Sequence, residues 1–296
     1  MKRISSLVAV LILAGVTNAF AMILPPNDLH LQDDINRRDA NINEAQFNKI
    51  IDGVINKYKD IVAKHGAELV VEKKWTDNTV NAYAQQEGKK WIVSMFGGLA
   101  RRPEITADGF ALVVCHELGH HLGGFVFKGE RWASAEGQSD YFATHSCAKM
   151  IWGEDSTVNA QAANTVDSTA RVQCNKAWNK TADQNLCYRV AMASHSLATL
   201  LAFGNGQPKF DKPDQKQVTT TYLNHPAAQC RLDTYVSGAL CDVGFDINVI
   251  PAKGHKDGQS SLAAEKEAAK YSCAKARQTE GNRPRCWFKP RVEKKR

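Results

Sequence analysis

The sequence predicts an α+β protein that is mostly helical, with a small antiparallel sheet and a helical C-terminal extension. Long segments in which apolar residues recur with a helical period predict the helices. A stretch from residue 68 to 98, in which strand-forming runs alternate with turn signals, predicts the sheet. Hydrophobic residues make up 43% of the 296 residues, which is enough for one sizeable core or two modest ones.

The first part of the chain predicts one helix and three strands. Apolar residues recur at helical spacing from Phe47 to Val62, and Gly66 ends that helix. Strands are predicted at residues 69–71, 79–84 and 91–96, with Asp77-Asn78 and Glu87-Gly88 as turn signals. An antiparallel sheet is the simplest arrangement of these strands.

The rest of the chain predicts helices. Thr106 or Asp108 can cap a helix that stops at Gly123-Gly124, and the next helix should run from near Ser134 to about Trp152. Residues 159–203 are helical again, most clearly at 186–201, and a loop follows at 204–217. Pro226 suits the first turn of a helix that continues to about Leu240. A connector at 242–260 and a last helix at 262–276 complete the chain.

The first 21 residues have the features of a secretory signal peptide. They begin with Lys2 and Arg3, continue with an apolar run at 7–16 and end in an A-x-A cleavage site at 19–21. The protein is therefore expected to be exported, periplasmic or secreted, with a mature chain that begins near Met22. A retained membrane anchor is disfavoured because the apolar run is shorter than the roughly 20 residues that span a bilayer. We expect no transmembrane segment in the mature chain.

The charge of the chain gives no sign of a nucleic-acid partner. Loss of Lys2 and Arg3 with the signal peptide lowers the formal charge from +7 to +5. The remaining basic residues are scattered, apart from the tail at 289–296, whereas nucleic-acid binding needs a basic patch or stripe.

Eight cysteines in an exported chain predict disulfide bonds. No pair has the C-x-x-C spacing of a zinc knuckle or a redox motif. Cys115 and Cys147 have no near neighbour, and either bridge each other or are free and buried. The pairs closest in sequence are Cys174 with Cys187, Cys230 with Cys241, and Cys273 with Cys286.

The motif His116-Glu117-Leu118-Gly119-His120 carries the strongest chemical signal. Helix positions i and i+4 are about 40° apart in projection, so both imidazoles can bind one ion. Glu117 is rotated about 100° from His116, which places its carboxylate beside the ion as a general base. His121, rotated by the same angle from His120, should face away and have a packing or surface role.

A catalytic zinc site needs a third protein ligand, and Glu136 is the predicted one. The metzincin pattern is excluded, because it requires a histidine at residue 126, which is Val. Glu136 and Asp140 have i, i+4 spacing on the next helix. Glu136 can therefore bind the ion while Asp140 accepts a hydrogen bond from a ligand histidine, with His116 the expected donor. One Zn²⁺ per chain is expected.

These motifs resemble the gluzincin zinc metallopeptidases of the HtpX and CaaX prenyl protease kind, in particular their soluble exported relatives. The resemblance covers roughly residues 68–241. It rests on four features besides the two metal-binding motifs already described: Asn81-Ala82-Tyr83-Ala84, the strand at 91–95, Gly97-Gly98-Leu99, and His225-Pro226 followed by Arg231. Only 15 residues separate His120 from Glu136, where many members have a longer excursion. ImmA-like peptidases have short spacers too, and their E-x-x-x-[DN]-x-F-A run resembles residues 136–143.

The resemblance implies a zincin-like metallopeptidase domain at 22–241, followed at 242–296 by the connector, C-terminal helix and basic tail. It implies His116, His120 and Glu136 as zinc ligands and Glu117 as base. It also implies that His225 or Arg231 stabilises the oxyanion, although a helix cap and a surface ion pair would explain these two residues as well.

The expected activity is hydrolysis of peptide bonds in an unfolded or extended protein or peptide. Such a substrate would add as a strand along Trp91, Ile92, Val93, Ser94 and Met95, unless the chain itself covers that edge. Two alternatives are a non-hydrolytic, zinc-containing factor for envelope assembly or chaperoning, and a latent protease covered by a segment after Cys241.

Overall fold

The structure is a computed structural model that describes residues 21–31, 41–129, 131–274 and 280–291. The predicted signal peptide lies outside these ranges except for Ala21, and the end of the basic tail lies outside them as well.

Helices dominate the described part of the chain. A π-helical turn, Ala143–Cys147, joins α4 to α5, and a 3₁₀ turn, Ala269–Tyr271, follows α10. The α-helices are α1 (Glu44–Lys64), α2 (Gly97–Ala100), α3 (Ala107–Leu122), α4 (Glu136–Phe142), α5 (Ala148–Trp152), α6 (Ser156–Ala162), α7 (Ser168–Ala177), α8 (Thr181–Leu201), α9 (Ala228–Leu240) and α10 (Leu262–Ala268).

The helix ends follow the sequence signals closely. Asn43 and Gln46 form a capping box at the start of α1. Thr106 is the cap of α3, because its hydroxyl accepts a hydrogen bond from Gly109 N at 3.1 Å. Pro226 precedes the first residue of α9 by two positions, so it lies just outside the helix and not in its first turn.

The sheet has four strands in the order β1-β3-β4-β2, namely β1 (Ala21–Met22), β2 (Glu68–Lys74), β3 (Ala82–Glu87) and β4 (Lys90–Phe96). It is mixed, and the prediction of an antiparallel sheet is wrong. β3 and β4 form the expected antiparallel hairpin around Gly88. The chain reverses between β2 and β3 and again between β3 and β4, so β2 runs in the direction of β4. Because β2 lies beside β4 and not beside β3, their pairing is parallel.

One hydrophobic cluster runs through the molecule from Ile23 to Phe288. It includes Ile250, Ala264 and Trp287, so the predicted C-terminal extension packs on the same core as the preceding helices. None of the described helices combines the length and hydrophobicity needed to span a bilayer.

Four disulfides join all eight cysteines, a pattern compatible with an exported protein. The predicted Cys174–Cys187 bond is confirmed, and Cys115 bridges Cys147. The other two predicted pairs are wrong. α9 and the C-terminal segment lie side by side, and the disulfides join one segment to the other instead of closing within each of them. The bonds there are Cys230–Cys286 and Cys241–Cys273.

Candidate metal centre

Helices α3 and α4 bring the two sequence motifs together. A Cβ atom on Gly119 would lie 2.9 Å from Ser139 Cα, so the glycine allows α4 to pack closely against α3. His116 and His120 stand on the same face of α3, with ring centroids 4.7 Å apart and planes nearly perpendicular at 89°. Glu136 is the first residue of α4 and points at both rings.

Three ligand atoms converge between these helices. Glu136 Oε2 lies 3.3 Å from His116 Nε2 and 3.7 Å from His120 Nε2. The three donor atoms all lie within 4.8 Å of one another, and the three residues have no exposed surface. Within the described part of the chain, none of these three atoms has a hydrogen-bond partner.

The remaining nitrogen of each imidazole is fixed by a hydrogen bond. His116 Nδ1 donates to Asp140 Oδ1 at 2.7 Å, and His120 Nδ1 donates to the Ser134 carbonyl at 2.9 Å. Both bonds leave the Nε2 lone pair free and aimed at Glu136. This is how metal-binding histidines are normally oriented. The prediction that Asp140 would accept from His116 agrees with this geometry.

Asp140 is itself held by Arg231 from α9. The guanidinium donates to Asp140 Oδ2 from Nε at 2.8 Å and to Oδ1 from Nη2 at 2.7 Å. Burial raises the pKa of Asp140, but Arg231 and then His116 outweigh it and hold the pKa at about 2. Arg231 therefore lies behind His116, is only 2% exposed and also donates to the Ile23 carbonyl. This position does not fit the predicted contact of Arg231 with an oxyanion.

Lys128 contacts the other oxygen of Glu136. Its ammonium lies 2.6 Å from Glu136 Oε1, which leaves Oε2 for the converging site. Burial alone would raise the pKa of Glu136, but the imidazoles of His120 and His116 and the Lys128 ammonium hold it well below its usual range. Glu136 is thus ionised, as a metal ligand must be.

Glu117 follows His116 in sequence and is fully buried. Neither of its carboxylate oxygens has a hydrogen-bond partner among the described residues, and the side chain has no exposed surface. Burial raises the pKa of Glu117 to about 8; His116 opposes this shift and Glu136 adds to it. A carboxyl group with this pKa can hold and release a proton near neutral pH.

His225 reaches the same site from the loop before α9. Its Nε2 lies 3.4 Å from Glu136 Oε2 and donates to the Met22 carbonyl at 2.7 Å. Burial lowers the pKa of His225, so the imidazole is neutral at neutral pH. Of the two predicted oxyanion groups, His225 is the one whose Nε2 lies 3.4 Å from a converging ligand atom.

The predicted substrate strand does not fit the sheet. β4, which contains Trp91, Ile92, Val93, Ser94 and Met95, pairs with β3 on one side and with β2 on the other. Because both edges are occupied, β4 cannot accept a further strand. β3 lies nearer the edge of the sheet beside the site, and its outer side pairs with β1.

The segment after Cys241 packs mainly behind α4. A Cβ atom on Gly137 would lie only 2.3 Å from the Trp287 ring, so this glycine allows the ring to pack against α4. Arg283 donates to Gln138 Oε1 at 2.7 Å.

His121 faces away from the ligands as predicted. Its ring is stacked between Trp91 and Trp132.

The residues present fit a divalent cation. Burial lowers the pKa of His116, but Asp140 outweighs burial and the pKa rises to about 9. The carboxylates that attract a proton there would equally attract a cation. Two imidazole nitrogens and one carboxylate oxygen are the donor set of catalytic zinc sites, and the ligating nitrogens give up any proton when the ion binds. Leaving these buried polar atoms without partners would be costly.

Sequence reasoning missed Lys128 and the N-terminal residues Met22 and Ile23. A lysine eight residues before Glu136 has no motif spacing, and Met22 follows directly on a predicted signal peptide.

The chain matches no known family model, no curated protein and no solved structure. Its function is therefore inferred from the geometry of this site.

Proposed function

We propose that the protein is an exported zinc endopeptidase, periplasmic or secreted, with a zincin-like fold and a gluzincin site resembling that of HtpX-like peptidases. His116, His120 and Glu136 would hold one zinc ion. The observation that supports this most is the convergence of three buried donor atoms that have no hydrogen-bond partner among the described residues. The carboxylate of Glu117, the neighbour of His116 in sequence, has none there either.

A zinc ion in this site would supply the Lewis acidity that polarises a scissile carbonyl and activates water. Glu117 would accept the proton of the attacking water and deliver it to the leaving amine. His225, a neutral Nε2–H donor at the edge of the site, would stabilise the developing oxyanion. Substrates would be proteins or peptides that can present an extended segment.

A second candidate is a non-hydrolytic factor for envelope assembly or chaperoning that keeps the ion for structure. The complete burial of the three ligands favours this reading. Glu117 opposes it, because a structural site has no use for a buried carboxylate without a partner, which destabilises the fold. Structural zinc sites also use four protein ligands, commonly cysteines.

Cleavage of casein and of a quenched fluorescent peptide library by the purified chain tests the proposal. Glu117→Gln keeps the shape of the side chain and removes the base, so we expect a rate at least about 100-fold lower. Glu154→Gln, the same change at an exposed turn, should leave the rate unaltered. Zinc content is measured for all three proteins. Cleavage by the Glu117→Gln variant and by the unaltered chain at the same measurable rate, at equal zinc content, would contradict the peptidase proposal.

A further inference from the structure

Residues 22–24, at the expected start of the mature chain, lie along β3 beside the proposed active site, and we call them the N-terminal strap. Ala21 and Met22 form β1 and pair antiparallel with Ala84 and Tyr83 of β3. Ile23 N then donates to the Ala82 carbonyl at 3.2 Å. The strap therefore occupies the outer edge of β3, the position that an added peptide strand would take.

The register of this pairing directs one strap carbonyl towards the ligands. Ile23 is hydrogen-bonded to its partner on β3, so Met22, the next residue, has its peptide groups on the opposite side. The Met22 carbonyl accepts from His225 Nε2, which itself lies 3.4 Å from the ligand oxygen of Glu136. The strap thus places a peptide carbonyl on the donor that we assign to the oxyanion.

With the strap in place, the reactive groups are closed to solvent. His116, Glu117, His120 and Glu136 have no exposed surface, which a site that binds a polypeptide cannot retain during turnover. Two open clefts are lined in part by strap residues, and both include His225. One includes Leu24, Pro25 and Phe203, and the other includes Met22, Trp132 and Tyr222. Strap residues therefore form part of the wall of both clefts.

The strap is held by few but specific contacts. Ile23 and Leu24 are 0% and 1% exposed. Asn81 Oδ1 accepts from Leu24 N at 3.2 Å, and Arg231 donates to the Ile23 carbonyl. The residues that follow, from Pro25 to Leu29, are exposed, so the strap can leave without unfolding a neighbouring element.

We propose that the strap is an intramolecular inhibitor that occupies the substrate groove, so that the peptidase is latent until residues 22–24 leave β3. This inference rests on the proposed function. It assigns latency to the N-terminal segment, whereas the sequence suggested a segment after Cys241.

Loosening the strap should activate the protein. Asn81→Ala removes the side chain that holds Leu24, and we expect kcat/KM for a peptide substrate to rise at least tenfold. Asn159→Ala is the matched control, because Asn159 is equally buried and donates to the Trp152 carbonyl at 2.7 Å, away from the strap. A loss of stability without activation in both variants would overturn the proposal.

A second test leaves every strap contact unchanged. A specific protease site inserted between Pro26 and Asn27 allows the strap to be cut from the folded chain after purification. A fluorescent peptide with the sequence of residues 22–26 should then bind to the cut chain and not to the uncut chain, with or without zinc. Excess unlabelled peptide should inhibit the activity of the cut chain, and a scrambled peptide should not.

The two proposals fail in different ways. Equal peptide binding and equal activity of the cut and uncut chains would overturn latency and leave the peptidase assignment intact. If only the cut chain binds the peptide and no form of the protein hydrolyses a substrate, the strap is supported as the occupant of the groove and the proposed peptidase activity is contradicted.

Discussion

Replacing Asp140 by Asn should leave the Arg231 guanidinium as an uncompensated charge in the protein interior. The two residues share two hydrogen bonds of 2.8 and 2.7 Å and are 0% and 2% exposed, so solvent does not screen the pair. Breaking a buried ion pair by removing one partner costs roughly 3–5 kcal/mol. We expect a loss of that size for Asp140→Asn and a similar one for Arg231→Met.

The double variant Asp140→Asn/Arg231→Met should lose no more stability than either single variant, because it leaves no unpaired charge. The resulting coupling energy would be on the order of 3 kcal/mol or more. Urea unfolding of the zinc-free proteins with intact disulfides measures it, since bound metal would add its own stabilisation. Additivity of the two single losses within about 0.5 kcal/mol would refute this account of the pair.

The ion pair between Arg189 and Asp108 provides a matched control. It also has two hydrogen bonds, both 2.8 Å long, but the Asp108 side chain is 34% exposed. Solvent-exposed pairs contribute about 0.2–1 kcal/mol, so Asp108→Asn should cost correspondingly little. Asp140→Asn should in addition weaken zinc binding about 10- to 100-fold, because Asp140 orients His116.

Three further predictions concern regions around the site. Burial raises the pKa of Asp233 to about 6, above its unfolded value, so its ionisation removes stability as the pH rises from about 4 to 6. Between pH 4 and pH 7, the free energy of unfolding of the Asp233→Asn variant should therefore rise by up to about 3 kcal/mol relative to that of the unaltered chain. A difference in urea melts that does not change with pH would contradict this. Replacing both Cys230 and Cys286 by Ser opens a loop of 56 residues and should cost about 4 kcal/mol, while peptide mapping of the native protein should recover the Cys230–Cys286 peptide. Gly137→Ala would force a Cβ atom to within 2.3 Å of the Trp287 ring and should cost about 1–3 kcal/mol in thermal or urea unfolding; an unchanged stability would show that the C-terminal segment does not pack there.

The helices and the ligand set were predictable because both depend on short-range patterns. Thr106 marks the start of α3, and the i, i+4 spacing then fixes which side of that helix His116 and His120 occupy. The same spacing relates Glu136 to Asp140, so the sequence could assign one residue to the ion and the other to a histidine.

Features that depend on how distant segments meet were not predictable in the same way. The parallel pairing of β2 with β4 is decided by the side of the hairpin on which β2 docks, and no local signal encodes that choice. The Cys230–Cys286 bond spans 56 residues and requires the C-terminal segment to lie along α9. Sequence proximity instead favoured Cys230 with Cys241.

The contacts of Met22 were hidden for a different reason. A residue that directly follows an A-x-A cleavage site gives no sign of a role in the folded protein. Its importance depends on the outer edge of β3 and on His225, which lies more than 200 residues further along the chain.

The most direct test of the metal centre is the zinc content of the purified chain, measured by elemental analysis after dialysis against metal-free buffer. The convergence of His116, His120 and Glu136 predicts about one zinc ion per chain. It also predicts that His120→Ala loses the ion while Glu117→Gln retains it. A chain that binds no zinc, or a His120→Ala variant that binds it as well as the unaltered protein, would contradict the assignment.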